Sequence, residues 1–191
     1  MAVLRPAALA LAAALLWSCG TDGGRGDASA EEGSPAPFKI WSSGFDHMGE
    51  IPSKYTVDGE NVSPPLSWSG VPDGTKSLAL VVEDPDAPGN VWVHWIVYDI
   101  PPGAGGLAEG AGNGKAPLPA GAKEGRNDWG RTGYGGPSPP SGRHRYFFVL
   151  YALDTVLPDL GAPTKAALER AMKGHVLAKT ELVGTYQRKG R

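Results

Sequence analysis

The chain has 191 residues, 41% of them hydrophobic, with 18 Lys+Arg against 20 Asp+Glu for a formal charge of −2, the size and balance of one globular domain plus a tail. One Cys excludes a disulfide scaffold, and the near-neutral charge removes the electrostatic case for a nucleic-acid partner. Six Trp and six Tyr supply too much core-forming surface for a disordered chain, in spite of 28 Gly and 18 Pro.

Met1 to Arg5 carries one positive charge, and Ala7 to Trp17 is an apolar run of signal-peptide length. It is too short to span a bilayer, which takes about 20 apolar residues. The run ends in Leu16-Trp17-Ser18-Cys19, which resembles the lipobox of bacterial lipoproteins, whose cysteine is lipidated and becomes the mature N-terminus. Trp17 departs from the small residue usual there. The expectation is a lipoprotein signal peptide over residues 1–18, lipidation at Cys19, and a membrane-anchored protein on the periplasmic or outer cell face. The alternative is a cut after Ala28-Ser29-Ala30, which would leave a soluble secreted or periplasmic protein. Residues 19–37 have almost nothing to bury and read as a flexible tether, so the folded domain is placed at 38–191. Within it, residues 38–114 are mainly acidic and 115–191 mainly basic, a split read as solvated surface.

Phe38 to Ser42 and Leu66 to Ser69 are short strand candidates. Ser77 to Glu83 alternates, with Leu78, Leu80 and Val82 on one face, and stops at Pro85. Val91 to Ile100 is apolar on both faces, as a covered central strand would be, with Val91, Val93, Trp95 and Val97 opposite Trp92, His94, Ile96 and Tyr98. Pro101 to Pro140 is a long Gly/Pro/Asn-rich connection, uncommon in length unless functional. Arg145 to Leu153 is a second central strand and Glu181 to Gln187 a shorter one. The one firm helix starts at Pro163 or Thr164, carries Leu168, Ala171, Met172 and His175 at helical spacing, and fades near Lys179. The fold class is mainly β with a C-terminal helix.

Polar groups gather at three places. Asp84-Pro85-Asp86-Ala87-Pro88 closes a strand in a stiff turn. Trp92-Val93-His94 puts indole and imidazole on one strand face. Gly135-Gly136-Pro137-Ser138-Pro139-Pro140 leads into His144-Arg145-Tyr146, and its glycines could present backbone N–H groups to a ligand. Together these groups suit a small anion such as phosphate. The two histidines would donate to it, and each Asp would orient a histidine or accept the proton of a monoprotonated phosphate. Bare carboxylates repel a dianion, so at least one Asp must be paired or protonated.

These blocks, with Asn61-Val62-Ser63-Pro64-Pro65-Leu66-Ser67-Trp68, Asn127-Asp128-Trp129-Gly130 and Leu182-Val183-Gly184-Thr185-Tyr186, resemble the phosphatidylethanolamine-binding protein family, on the side of its bacterial, Raf kinase inhibitor-like members. They cover nearly everything from Phe38 on, in the family's order. The resemblance implies a β-sandwich around a large antiparallel sheet with an anion pocket at one end, lined by Asp84, Asp86, Trp92, His94, Gly136, Pro137, His144 and Tyr146, and a cis bond at Ala87-Pro88. It implies a ligand of the phosphate or phospholipid-headgroup class, and some members inhibit kinases or proteases. Ser138 stands where many bacterial members have Cys, which argues against thiol chemistry.

The expected function is an exported, non-catalytic binding domain with no cofactor and no metal, attached to the membrane through Cys19. One alternative is a metal-assisted phosphoesterase with Asp84, Asp86, His94 and His144 as ligands to Zn²⁺ or a similar ion. A serine hydrolase is weaker, since no G-x-S-x-G elbow is present. A third reading is a protein-binding module that inhibits a protease or kinase.

Overall fold

A computed structural model describes residues 36–188. The signal peptide, Cys19 and nearly all of the tether expected over residues 19–37 lie outside the described residues. In chain order the elements are β1 (Lys39–Trp41), β2 (Leu66–Ser69), β3 (Ser77–Asp84), β4 (Trp92–Ile100), β5 (Gly106–Leu107), β6 (Lys123–Glu124), β7 (Arg143–Leu153), α1 (Lys165–Met172) and β8 (Val176–Gln187). A large antiparallel sheet runs β6-β4-β3-β7-β8, and a small one runs β1-β2-β5.

The strand β3 is the axis of the large sheet, paired with β4 on one side and β7 on the other. Leu78, Leu80 and Val82 share one face, as the alternation requires, and pack with Trp95, Val97, Phe148 and Leu150 toward Ile40, Leu66 and Trp68 of the small sheet. The other face is buried too. Ala79 and Val81 pack with Ile96, Tyr98 and Leu153 against Leu168 and Met172 of α1. Each fully buried Leu or Ile contributes on the order of 1.5–3 kcal/mol, so both layers are needed to hold a sheet this apolar.

The alternation expected along β4 is broken. Val82 pairs with Trp95 but Glu83 pairs with Val93, which leaves His94 as an extra residue in a β-bulge. The bulge puts Trp92, opposite Asp84, on the same side of the sheet as Trp95 and Val97, while Val93 and Ile96 face the helix. A period-two reading cannot see this, because one inserted residue reverses the face of everything beyond it.

The long connection between β4 and β7 contains β5, β6 and a 3-10 turn at Ala111–Asn113. The helix is shorter than its apolar spacing suggests. Thr164 caps it, its hydroxyl accepting from the Ala167 N–H at 3.4 Å, and Gly174 at φ 84° stops it. His175 therefore lies beyond the helix, and Val176 to Lys179 pair with β7 as the start of β8. The cis bond expected at Ala87-Pro88 is absent, every described peptide being trans, the form an X-Pro bond prefers without other constraint.

The charge split along the chain is spent within the fold. Glu60, Glu83, Asp58, Asp86 and Asp99 from the acidic half pair with Lys115, Lys165, Arg188, Arg145 and Lys123 from the basic half. Most of these pairs are surface pairs that contribute about 1 kcal/mol or less each, so they orient the halves more than they hold them.

Candidate ligand pocket

The carboxyl end of β3, the start of β4 and the start of β7 meet at one end of the large sheet, and a cavity of about 370 Å³ opens there. Asp84, Trp92, His94 and His144 line it, with Ala87, Pro88, Trp129, Ser138, Pro139 and Pro140. This is the volume range of a small-molecule site, with few polar groups on an apolar wall. A larger groove of about 550 Å³ runs beside α1, but its polar residues, Glu169, Arg170 and Lys173, are exposed on the helix.

Asp84 and His144 are both buried, and the His144 Nδ1–H donates to Asp84 Oδ2 at 2.7 Å. The other oxygen of Asp84 accepts the Asp86 N–H at 2.8 Å, so the stiff Asp-Pro-Asp turn aims this carboxylate at His144. The pair leaves His144 Nε2 as the polar atom with no protein partner.

His94 is held from the other side. Its Nδ1 lies 2.6 Å from the Gly135 carbonyl oxygen. A carbonyl can only accept, so Nδ1 carries the proton. Burial, the largest influence on this ring, pushes its pKa down and keeps the imidazole neutral, so Nε2 is an acceptor. The donor role expected of His94 is thus not the one its surroundings select.

Three other expected site residues stand apart from the cavity wall. Asp86 turns outward to Arg145, taking its Nε at 2.9 Å, its Nη2 at 2.7 Å and its backbone N–H at 2.9 Å. These bonds hold its pKa down to about 2. Gly136 donates its N–H to Asn61 Oδ1 at 2.7 Å, and Gly135 donates its own to the His94 carbonyl at 3.0 Å. The backbone donors expected for a ligand are spent on holding the loop. A Cβ on Gly136 would lie 2.5 Å from the Tyr55 carbonyl oxygen, so only glycine lets the loop come this close. Pro137 accepts the Val57 N–H at 3.1 Å through its carbonyl.

Tyr146 is buried behind His94, its ring edge-on to the imidazole at 5.2 Å between centroids. Its hydroxyl makes no hydrogen bond of good geometry, and burial first and the Asp84 charge second push its pKa up, so it stays a phenol.

Trp129 is the lining residue that side-chain chemistry alone did not single out. Asn127 Oδ1 accepts the Trp129 N–H at 3.1 Å and Asn127 Nδ2 donates to the Gly133 carbonyl at 2.9 Å. Asp128 Oδ2 accepts the Val93 N–H at 2.7 Å, and the Asp128 N–H returns to the Val93 carbonyl at 3.0 Å. The turn is stapled to β4, and its indole stands edge-on to Trp92 at 5.4 Å and to His94 at 5.1 Å. The Asn-Asp pair before Trp129 was the available sign of such a turn.

The four residues of the metal-ligand alternative do not converge, since Asp86 spends both oxygens on Arg145. Among the described residues no three His, Cys, Asp or Glu side chains come together as a metal site.

The sequence profile described as phosphatidylethanolamine-binding protein matches residues 41–187. A "UPF0098 protein" of Methanothermobacter thermautotrophicus is 57% identical over 145 residues, covering 75% of this chain and 95% of that one. A "UPF0098 protein" of Chlamydia muridarum is 47% identical over 155 residues, covering 78% and 99%. Two solved structures are similar with a TM-score of 0.75. A phosphatidylethanolamine-binding protein homolog from Chlamydia trachomatis shares 45% identity over 82% of this chain and all (100%) of its own. YbcL of E. coli, described as a member of the mammalian family of that name, shares 36% over 81% and 100%.

Proposed function

The chain belongs to the phosphatidylethanolamine-binding protein family, in the branch that includes YbcL, and from that premise we propose that it is an exported, non-catalytic binding domain for a small phosphate-bearing ligand or phospholipid headgroup. The observation that carries the reading is the convergence of the Asp84–His144 pair and the His94 ring on one aromatic-walled cavity of about 370 Å³. His144, oriented by Asp84, takes the anionic end. Trp92 and Trp129 shield it, which strengthens each polar contact by lowering the local dielectric. Lipidation of Cys19 holds the domain to a membrane, and a regulatory or inhibitory role follows from presenting or withholding the ligand there.

The test is an NMR titration of the intact protein with inorganic phosphate and O-phosphoethanolamine, following the ring signals of His94 and His144. Saturable shifts at both rings support the reading, and rings that stay still to high ligand concentration refute it. Anchoring is tested apart from this. Cys19→Ala should move the protein from the membrane to the soluble fraction, and an unlipidated mature start near Glu31 by mass spectrometry would refute the anchor.

A further inference from the structure

The outer edge of β8 is closed along one half and open along the other. Alternate residues of a strand turn their backbone groups to opposite sides, and Val183 and Thr185 turn theirs outward to the segment from His47 to Ile51. The Met48 N–H donates to the Val183 carbonyl at 2.6 Å and the Val183 N–H to His47 Nδ1 at 3.3 Å, while the Thr185 N–H donates to the Gly49 carbonyl at 2.8 Å and the Ile51 N–H to the Thr185 carbonyl at 2.7 Å. Glu181 and Lys179 continue the same alternation toward the start of β8, so their N–H and C=O groups turn outward as well. Among the described residues those groups meet no backbone partner. Both side chains are exposed, and neither enters an ion pair among the described residues. Such an edge is a template for one more strand.

Its charges say which strand fits. An outward-turned residue can bond only to another outward-turned residue, which leaves few registers for a second copy running antiparallel about a two-fold axis. Centring the axis at Lys179 sets lysine on lysine. Centring it at Glu181 sets glutamate on glutamate and drives Lys179 toward Val183, where the edge is already occupied. Centring it at Thr180 sets each Lys179 opposite a Glu181, and each of these pairs exchanges both of its N–H···O bonds. Opposite charges directly across a ladder stabilise it and like charges destabilise it, so the edge complements itself in this register and not in its neighbours.

The exposed apolar residues agree. Leu177, 45% exposed, is the extra residue in the register shift between Ala152↔Ala178 and Leu153↔Val176. In the register centred on Thr180 it falls opposite Val183 of the other copy, beside which stands Met48, 53% exposed. The bulge ends the pairing there, and Leu177 of each copy covers Met48 of the other. We propose that the open half of β8 docks a second copy of this chain, centred on Thr180, and joins two five-stranded sheets into one. The ligand pocket lies at the other end of β7, so this interface stands or falls independently of it. The paired strands are short, which makes the dimer a weak one, formed at high local concentration.

The experiment is sedimentation equilibrium on the full chain carrying Cys19→Ala, which removes the lipidation site and the only thiol. The mass should rise from one chain toward two with a Kd on the order of 100 μM. Lys179→Glu should weaken association at least about fivefold, and adding Glu181→Lys to it should restore the original affinity, because the exchanged pair is again self-complementary. Thiol pairing reads the register. Thr180→Cys should give a disulfide-linked dimer under mild oxidation, since the two copies of that residue face each other across the axis at about 4.5 Å between Cα atoms, whereas Lys179→Cys faces residue 181 and should not. A one-chain mass up to about 1 mM overturns the proposal and leaves the edge to a strand of another protein. A dimer that is indifferent to the charge change, or that crosslinks equally through both cysteines, overturns it too. Lys179 and Glu181 are exposed, so the charge exchange decides the matter even where Thr180→Cys fails to fold.

Discussion

The two faces of the large sheet are made by the same strands, yet they treat their polar groups differently. On the helix side, polar atoms at the edge of the core are satisfied one by one. The Tyr98 hydroxyl donates to the Gly161 carbonyl at 2.7 Å, and Asp99 accepts the Leu157 N–H at 3.0 Å while pairing with Lys123 at 3.2 Å. Glu83 and Lys165 tie the sheet to the helix as an ion pair. On the pocket side, His94, His144 and Tyr146 are as deeply buried, but each keeps a polar atom without a protein partner. A buried hydroxyl left unpaired, as at Tyr146, costs stability, so this face gives up part of what the other supplies. The contrast separates residues that hold the fold from residues that wait for a ligand.

The sharpest way to break that division is Leu168→Ala. The residue is fully buried at 0% exposure between helix and sheet, and its truncation should cost about 2–5 kcal/mol in urea unfolding while phosphate affinity stays at the wild-type value. A matching fall in affinity would show that the faces are one unit. Next comes the double change of His94 and His144 to Ala, which removes both rings from the cavity. Calorimetry should show phosphate affinity falling by about a hundredfold, with the far-UV spectrum unchanged. The same change carries a pH signature. The His94 pKa is held below its ordinary 6.5, so its contribution to stability is complete above that pH and is lost as pH falls through the lower folded value. The acid limb of the stability profile should flatten when the ring is gone.

Asp86→Asn sharpens the comparison within one turn. Asp86 faces Arg145 and the solvent, so about 1 kcal/mol or less of stability should go and binding should hold, in contrast to its neighbour Asp84. Its carboxyl is depressed from 3.8 to about 2, so its contribution is present above the unfolded value and disappears as pH falls toward 2. The variant should lack that step in acid unfolding. The smallest effect belongs to Thr164→Ala. The cap bond is long at 3.4 Å, and its loss should cost about 0.5 kcal/mol in urea unfolding with no effect at the pocket.

Much of the strand content was legible because the signals were local. Leu66–Ser69 stands where its apolar pattern put it, and β3 and β7 extend the expected runs by one residue at Asp84 and two at Arg143 and His144. The helix boundary was misread although Gly174 stood in the sequence, because the apolar spacing of Leu168, Ala171, Met172 and His175 runs past it. The first turns of β8 were hidden for another reason. Val176 to Thr180 has little strand pattern and is a strand because β7 lies alongside it.

Of the eight residues expected around a ligand, four line the cavity and four support it from outside. Residue type named the groups correctly as chemistry, but their use depended on who reached them first. Asp84 and Asp86 are two residues apart and look alike in sequence, yet one orients His144 and the other is consumed by Arg145. The loop amides looked available and are occupied by Asn61 and the His94 carbonyl, partners 75 and 41 residues away along the chain.

The sequence by itself determined the mainly β class, the central strands β3, β4 and β7, the buried faces of β3, the family and the set of titratable groups at one end of the sheet. Each follows from nearest-neighbour patterns or from short blocks of residues kept in order. The tertiary structure alone decided the bulge that turns His94 and Trp92 to the pocket, the tautomer that makes His94 an acceptor, the pairing of Asp86 away from the cavity, and the seat of Trp129 over both rings. These are outcomes of competition between distant hydrogen-bonding partners, and a linear pattern carries no information about which partner arrives.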